Sequence, residues 1–145
     1  MVRSMNRDHS STLWRPESEP IAAAIDHVRL SYCYLDEGDV DAYCSLFTEQ
    51  AVLRQPGTQP VSGRAELARA ARRRRAGKFV RHLVFEVFGS GRRIAAVGRV
   101  NHLRPSADDR EPDMDFVDMF SVADNGLLSG RTTLLFTPVA YPGLA

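Results

Sequence analysis

The chain has 145 residues, of which 43% are hydrophobic and 26% charged, and its formal net charge is +1. That is the size and composition of one ordinary soluble domain with a real core, which excludes a wholly disordered chain. No run approaches the roughly 18 apolar residues that a membrane span needs, and the start MVRSMNRDHSSTLWRPESEP has no apolar stretch behind its basic residues, so neither a spanning helix nor a signal peptide is expected.

Residues 1–16 are polar and aperiodic and read as a loose arm, with residues 17–145 forming a single domain. Between Pro16 and Pro20 the chemistry is that of a helix start, with Ser18 as the N-cap and Glu17 and Glu19 near the positive end of the helix dipole. Ile21, Ile25, Val28, Tyr32 and Leu35 then recur at helical spacing, and Gly38 ends the run. Asp39 is placed to cap a second, short helix with Val40, Tyr43, Cys44 and Phe47 on its apolar face. Tyr32 and Asp36 lie one turn apart, and Asp36 borders the apolar stripe, where it either leans toward the core or stays exposed before the turn. Cys33 and Cys44 are the only cysteines and both sit in apolar helical patterns. They read as two buried, reduced thiols in a reducing compartment, which points to the cytoplasm.

A short strand, Ala51 to Gln55, runs into the turn PGTQP. Gly63 then caps a third helix, ELARAARRRRAGK, in which Leu67, Ala70 and Ala71 suit a buried face and Gly77 is the stop. Four runs of period two follow: Lys78 to Phe88, Arg92 to Leu103, Asp113 to Val122 and Leu127 to Val139, separated by GSGR, PSADDREP and DNG. Runs joined in this way form an antiparallel meander. Helices first and strands afterwards make an α+β domain, with the helices packed on one face of a curved antiparallel sheet.

Charge is unevenly spread. Arg64 to Arg81 carries a net +7, and Asp108 to Asp118 holds six acids against Arg110 alone. Arg72 to Arg75 point in all directions around a helix and have no aromatic residues interleaved, so a solvated face fits better than a nucleic-acid site. An anionic substrate or an acidic carrier protein is the second reading of that face.

Alternation places His82, Val84, Glu86 and Phe88 on one face of their strand, without saying which face is concave. His102 shares a face with Ile94, Ala96, Gly98 and Val100, small residues suited to a cavity wall. Met114, Phe116, Asp118 and Phe120 share another face, where a single acid among large apolar groups suggests a pocket; Asp113 and Asp115 fall on the opposite, solvated side. His82, His102, Asp36 and Asp118 include metal-ligating types, but no HxH or HxxxH spacing occurs, and no metal or cofactor site is expected.

The segments LDEGDVDAYCSLFTEQAVL, VSGRAEL, VRHLVFEV and DFVDMFSVADNGLLSGRTTLL, in this order, resemble the SnoaL-like polyketide cyclase and dehydratase family of the nuclear transport factor 2 superfamily, over about Ile21 to Thr137. The resemblance implies a cone-shaped pocket between the first helices and the concave sheet, and a homodimer. Asp36 matches the aspartate of the family's helix-ending pattern and His82 the histidine after the third helix, positions that handle protons in dehydratase-like members. Asp118 and Arg131 are similar to polar positions on the last two strands. On this reading Asp36, His82, Tyr32 and Asp118 carry the chemistry, with Tyr32 donating to an enolate oxygen, and Glu86, His102, Phe116, Phe120 and Arg131 contact substrate. Two departures stand out: Gln55 precedes Pro56 where ketosteroid-isomerase-like members have an acidic base, and Glu86 stands where many relatives have asparagine.

The function that follows is cofactor-free acid/base catalysis, a cyclase or dehydratase acting on a small hydrophobic polyketide-like carbonyl compound. Two alternatives stand beside it. One is an epoxide-opening hydrolase or cyclase using Asp36 and Asp118, and the other a non-catalytic ligand-binding or dimerisation module.

Overall fold

The computed structural model describes residues 19–75, 79–103 and 112–138. The expected arm, the Ser18 cap, the Gly77 stop and nearly all of the acidic loop PSADDREP lie outside the described residues.

Helix α1 spans Glu19–Glu37 and buries Ile21, Ala24, Val28 and Tyr32 along the expected face. It ends at Gly38, whose φ of 78° is the left-handed turn that a residue without Cβ adopts at no cost. The N–H of Asp39 then donates to the Tyr34 carbonyl at 2.9 Å. The Asp39 carboxylate accepts from the Ala42 N–H at 3.0 Å and so caps α2, Val40–Ser45, which buries Tyr43 and Cys44. Strand β1 (Phe47–Arg54) starts earlier than the period-two signal suggested, and β2 is the two-residue strand Val61–Ser62. Helix α3 is Arg64–Arg75 and buries Leu67. The remaining strands are β3 (Val80–Ser90), β4 (Arg93–His102), β5 (Met114–Val122) and β6 (Leu128–Phe136).

The six strands form one curved, unclosed sheet in the order β2-β1-β6-β5-β4-β3. Strands β3 to β6 form the expected antiparallel meander. The sheet as a whole is mixed, however, because β1 pairs with β6 in parallel. Short turns specify the partner of the next strand and nothing more; the β1–β6 pairing joins distant parts of the chain and left no local signal. The helices pack on the inner face, and the core there includes Val28, Tyr32, Tyr43, Phe47, Ile94 and Phe120.

Three expectations are corrected. Between Val84 and Glu86 the β3–β4 ladder slips by one residue, with Phe85 as the extra one. Strict alternation fails there: His82 and Val84 face inward, Val87 joins the core, and Glu86 is exposed on the outer face opposite Val97. Glu86 is therefore not on the face of His82. Asp115 is not solvated; it is 6% exposed beneath Arg99, whose Nε donates to its Oδ1 at 2.6 Å. Cys44 is buried but Cys33 is exposed, because one residue beyond Tyr32 turns the side chain about 100° around the helix, away from the sheet.

Candidate active site

Asp36 sits at the last turn of α1, and that turn runs along the inner edge of β3. There the Asp36 carboxylate accepts two hydrogen bonds from one residue: the backbone N–H of His82 at 3.0 Å to Oδ2, and the imidazole Nδ1 at 2.5 Å to Oδ1. A carboxylate only accepts, so Nδ1 is the donor, and in the neutral imidazole the lone pair then lies on Nε2. The charge of the carboxylate strengthens the contact. The double contact fixes both the strand backbone and the ring to the end of the helix. The side chains of His82 and Asp36 keep 15% and 23% exposure, so the pair lies at the rim of the interior.

The imidazole stands against an aromatic wall. Its centroid is 5.3 Å from that of Tyr32 and 5.9 Å from that of Phe116, the latter edge-on. Phe116 reaches this position because Gly98 has no side chain: a Cβ there would stand 2.7 Å from the Phe116 ring and 2.3 Å from the Leu83 carbonyl oxygen. Phe120 closes the far side of Tyr32 at 6.4 Å, also edge-on.

Deeper in lies a second polar cluster, in which Tyr32, Tyr43, Asp118 and Arg131 are buried and Thr133 is half-buried. Tyr32 Oη donates to Asp118 Oδ2 at 2.6 Å, and Thr133 Oγ1 donates to Asp118 Oδ1 in a short bond. Both oxygens of Asp118 are therefore engaged. Burial first, and then the Asp118 charge, push the Tyr32 hydroxyl far above the ordinary tyrosine range, so it remains a proton donor at any working pH. Arg131, on β6 opposite Phe120, donates from Nη1 to Tyr43 Oη at 3.0 Å. Burial opposes the Arg131 charge, but Tyr43 and Asp118 more than compensate and keep it protonated; burial likewise raises Tyr43.

His102 lies on the inner face of β4, paired with Val80. Its backbone N–H donates to Asp113 Oδ1 at 3.1 Å, and its Nδ1 is 3.7 Å from the same oxygen. Among the described residues no cluster of three or more His, Cys, Asp or Glu is arranged to hold a metal ion. Of the residues singled out from the sequence, the structure thus joins Asp36 to His82 and Tyr32 to Asp118. It sets Phe116 and Phe120 around them, places Arg131 with Tyr43, and puts Glu86 on the other side of the sheet.

Residues 28–130 match the model of the SnoaL-like domain. The chain belongs to the SnoaL-like family. No curated protein matches it in sequence. Solved structures of the same fold include an NTF-2 like protein of unknown function from Burkholderia xenovorans, with a TM-score of 0.69 and 14% identity over 87% of this chain and 92% of that one. Another is the epoxide hydrolase/cyclase-like enzyme SalBIII, with a role in pyran ring formation in the polyether salinomycin (TM-score 0.69, 18% identity, 80% of this chain and 92% of that one). A third is an LEH-like epoxide hydrolase from M. tuberculosis (TM-score 0.68, 15% identity, 79% and 84%). At these identities the likeness is one of fold.

Two members of the SnoaL-like interior escaped the sequence reading, Thr133 and Tyr43. For Thr133 the signal is incomplete: the DNG turn joins β5 to β6, but counting back from the Val122–Leu128 pair sets Thr132, not Thr133, opposite Asp118. A bulge between Ser121 and Val122 shifts that count by one, so the turn alone does not give the register. Tyr43 carries no such signal, since on the face of α2 it is indistinguishable from a core tyrosine.

Proposed function

We propose that this SnoaL-like protein is an acid/base enzyme, a cyclase or dehydratase acting without a cofactor on a small hydrophobic, polyketide-like carbonyl compound. The observation that carries the reading is the double hold of Asp36 on His82, which leaves Nε2 as a base beside an aromatic wall. Nε2 takes the proton from the carbon next to the carbonyl, and the C–H electron pair passes to the carbonyl oxygen as an enolate. The imidazolium so formed is stabilised by Asp36 through Nδ1–H. In a dehydration the enolate expels a β-hydroxyl, which leaves as water with the proton returned by His82; in a cyclisation the enolate carbon attacks a second carbonyl, whose π electron pair moves to its oxygen and takes the proton back from His82. The wall of Tyr32 and Phe116 supplies apolar contact and keeps water from the base.

Epoxide opening by paired acids has less support. Both oxygens of Asp118 accept hydrogen bonds, from Tyr32 and Thr133, and both oxygens of Asp36 accept hydrogen bonds from His82, so the lone pair best placed to act as a base is the histidine's.

The test is proton exchange in heavy water. Small β-hydroxy ketones incubated with the protein should exchange the hydrogens next to the carbonyl, or lose water, at rates that His82→Gln reduces by about 100-fold or more. Asp36→Asn should cost about tenfold or more, by releasing the ring. Exchange that proceeds unchanged in folded His82→Gln would remove His82 as the base.

A further inference from the structure

Arg131 is short of partners in a way its neighbours are not. It is 6% exposed, and among the described residues its guanidinium meets one acceptor, Tyr43 Oη at 3.0 Å, while Nε is closed off with no partner at all. A guanidinium carries five N–H donors in a planar fork and does not give up its proton. Asp118 is close enough to act on its charge but is not its hydrogen-bond partner, because both Asp118 oxygens are taken by Tyr32 and Thr133. The interior therefore holds one positive and one negative charge, with the negative one satisfied and the positive one still short of acceptors. An arrangement selected for stability alone would place the carboxylate against the guanidinium or replace both groups by apolar side chains.

We infer that Arg131 anchors a neutral carbonyl oxygen of the ligand, that of a ketone, ester or thioester, in preference to a carboxylate. A carbonyl oxygen supplies an acceptor that the described residues do not and leaves the buried charge balanced. A carboxylate would set two negative charges against one positive charge in a region closed to solvent. Phe120, directly opposite Arg131 on β5, and Phe116 beyond it give the hydrocarbon part of such a ligand its apolar flank. The inference rests on the proposed function only in taking this ligand to be the substrate.

The probes are 2-acetylnaphthalene and 2-naphthoate, of similar shape and differing in charge, titrated into the full chain by calorimetry. The wild type should bind the ketone about tenfold or more tightly than the acid. Asp118→Asn leaves Arg131 without its counter-charge and should reverse the order. Arg131→Met strands the Asp118 charge and is destabilised for that reason, so the D118N/R131M pair, which removes both charges together, is measured beside it; it should bind the two probes within about threefold of each other. Equal or tighter binding of naphthoate by the wild type, no binding of either probe, or an unchanged ratio in D118N/R131M would each overturn the anchor. Binding of the probes involves no turnover, whereas the proposed base is read by proton exchange in His82→Gln, so failure of the anchor and failure of the base are read separately.

Discussion

At Gly98 a single methyl group would reshape the wall beside His82, since a Cβ would lie 2.7 Å from the Phe116 ring and 2.3 Å from the Leu83 carbonyl oxygen. The ring can swing away but the backbone oxygen cannot, so Gly98→Ala should destabilise the fold by about 1–3 kcal/mol. Denaturant unfolding measures that loss; an unchanged midpoint would mean that the two strands separate easily. Tyr32 and Tyr43 make a pH prediction at the same scale. Burial raises both hydroxyls above their ordinary value of 10.0, so the unfolded chain releases these protons near pH 10 while the folded one retains them. Their contribution to stability is complete below about pH 10 and falls above it, by about 1.4 kcal/mol per pH unit for each group. Phenolate absorbance from these two residues should accordingly appear together with unfolding, and phenolate formed in the intact fold would contradict their burial. At this scale the sequence was informative about which residues matter and weak about which of them touch. Asp36 borders an apolar stripe and His82 lies on a strand 46 positions later, a separation over which no periodicity carries information.

Among the elements, the helix boundaries were the most legible part of the chain because their chemistry is local. Gly38 and Asp39 stop one helix and start the next through bonds within a few residues of themselves. Asp39→Ala should cost about 1 kcal/mol of stability, measured by thermal or denaturant unfolding, through loss of the acceptor for the Ala42 N–H. The four strands of the meander were legible in order but not in facing, and the two-residue β2 left no signal. One extra residue at Phe85 reverses the alternation that had set Glu86 beside His82, and nothing in VRHLVFEV marks it, since apolar residues fall on both faces of the strand. The same slip brings Val87 into the core and turns Phe88 out to solvent. Glu86→Gln, on the outer face, should therefore leave proton exchange within about twofold of the wild type, and a large loss of exchange would put Glu86 back among the groups that meet the substrate.

For the whole molecule, the α+β plan follows from the order of helical and period-two segments, whereas the parallel closure of β1 on β6 does not, because it is a long-range pairing that only the folded sheet specifies. The helices cover the inner face alone. On the outer face Leu83, Phe88, Met119, Leu134 and Phe136 are 37–55% exposed, around the Arg99–Asp115 pair. Large apolar side chains grouped on one exposed sheet face mark an interaction surface. The account predicts that two copies meet through this face, apolar against apolar, and that Met119→Lys with Leu134→Lys gives a monomer by sedimentation while the inner face and its proton exchange are unaffected. A wild-type chain that remains monomeric at high concentration would refute that association.

The central claim concerns one nitrogen atom: His82 is held through Nδ1 by Asp36 so that Nε2 is free to take a proton. NMR of the protein labelled with isotopic nitrogen at its histidines reads the tautomer directly. The account predicts a neutral His82 with its hydrogen on Nδ1, a signal that loses this preference in Asp36→Asn. A His82 whose hydrogen resides on Nε2 would have no lone pair to offer there and would contradict the account.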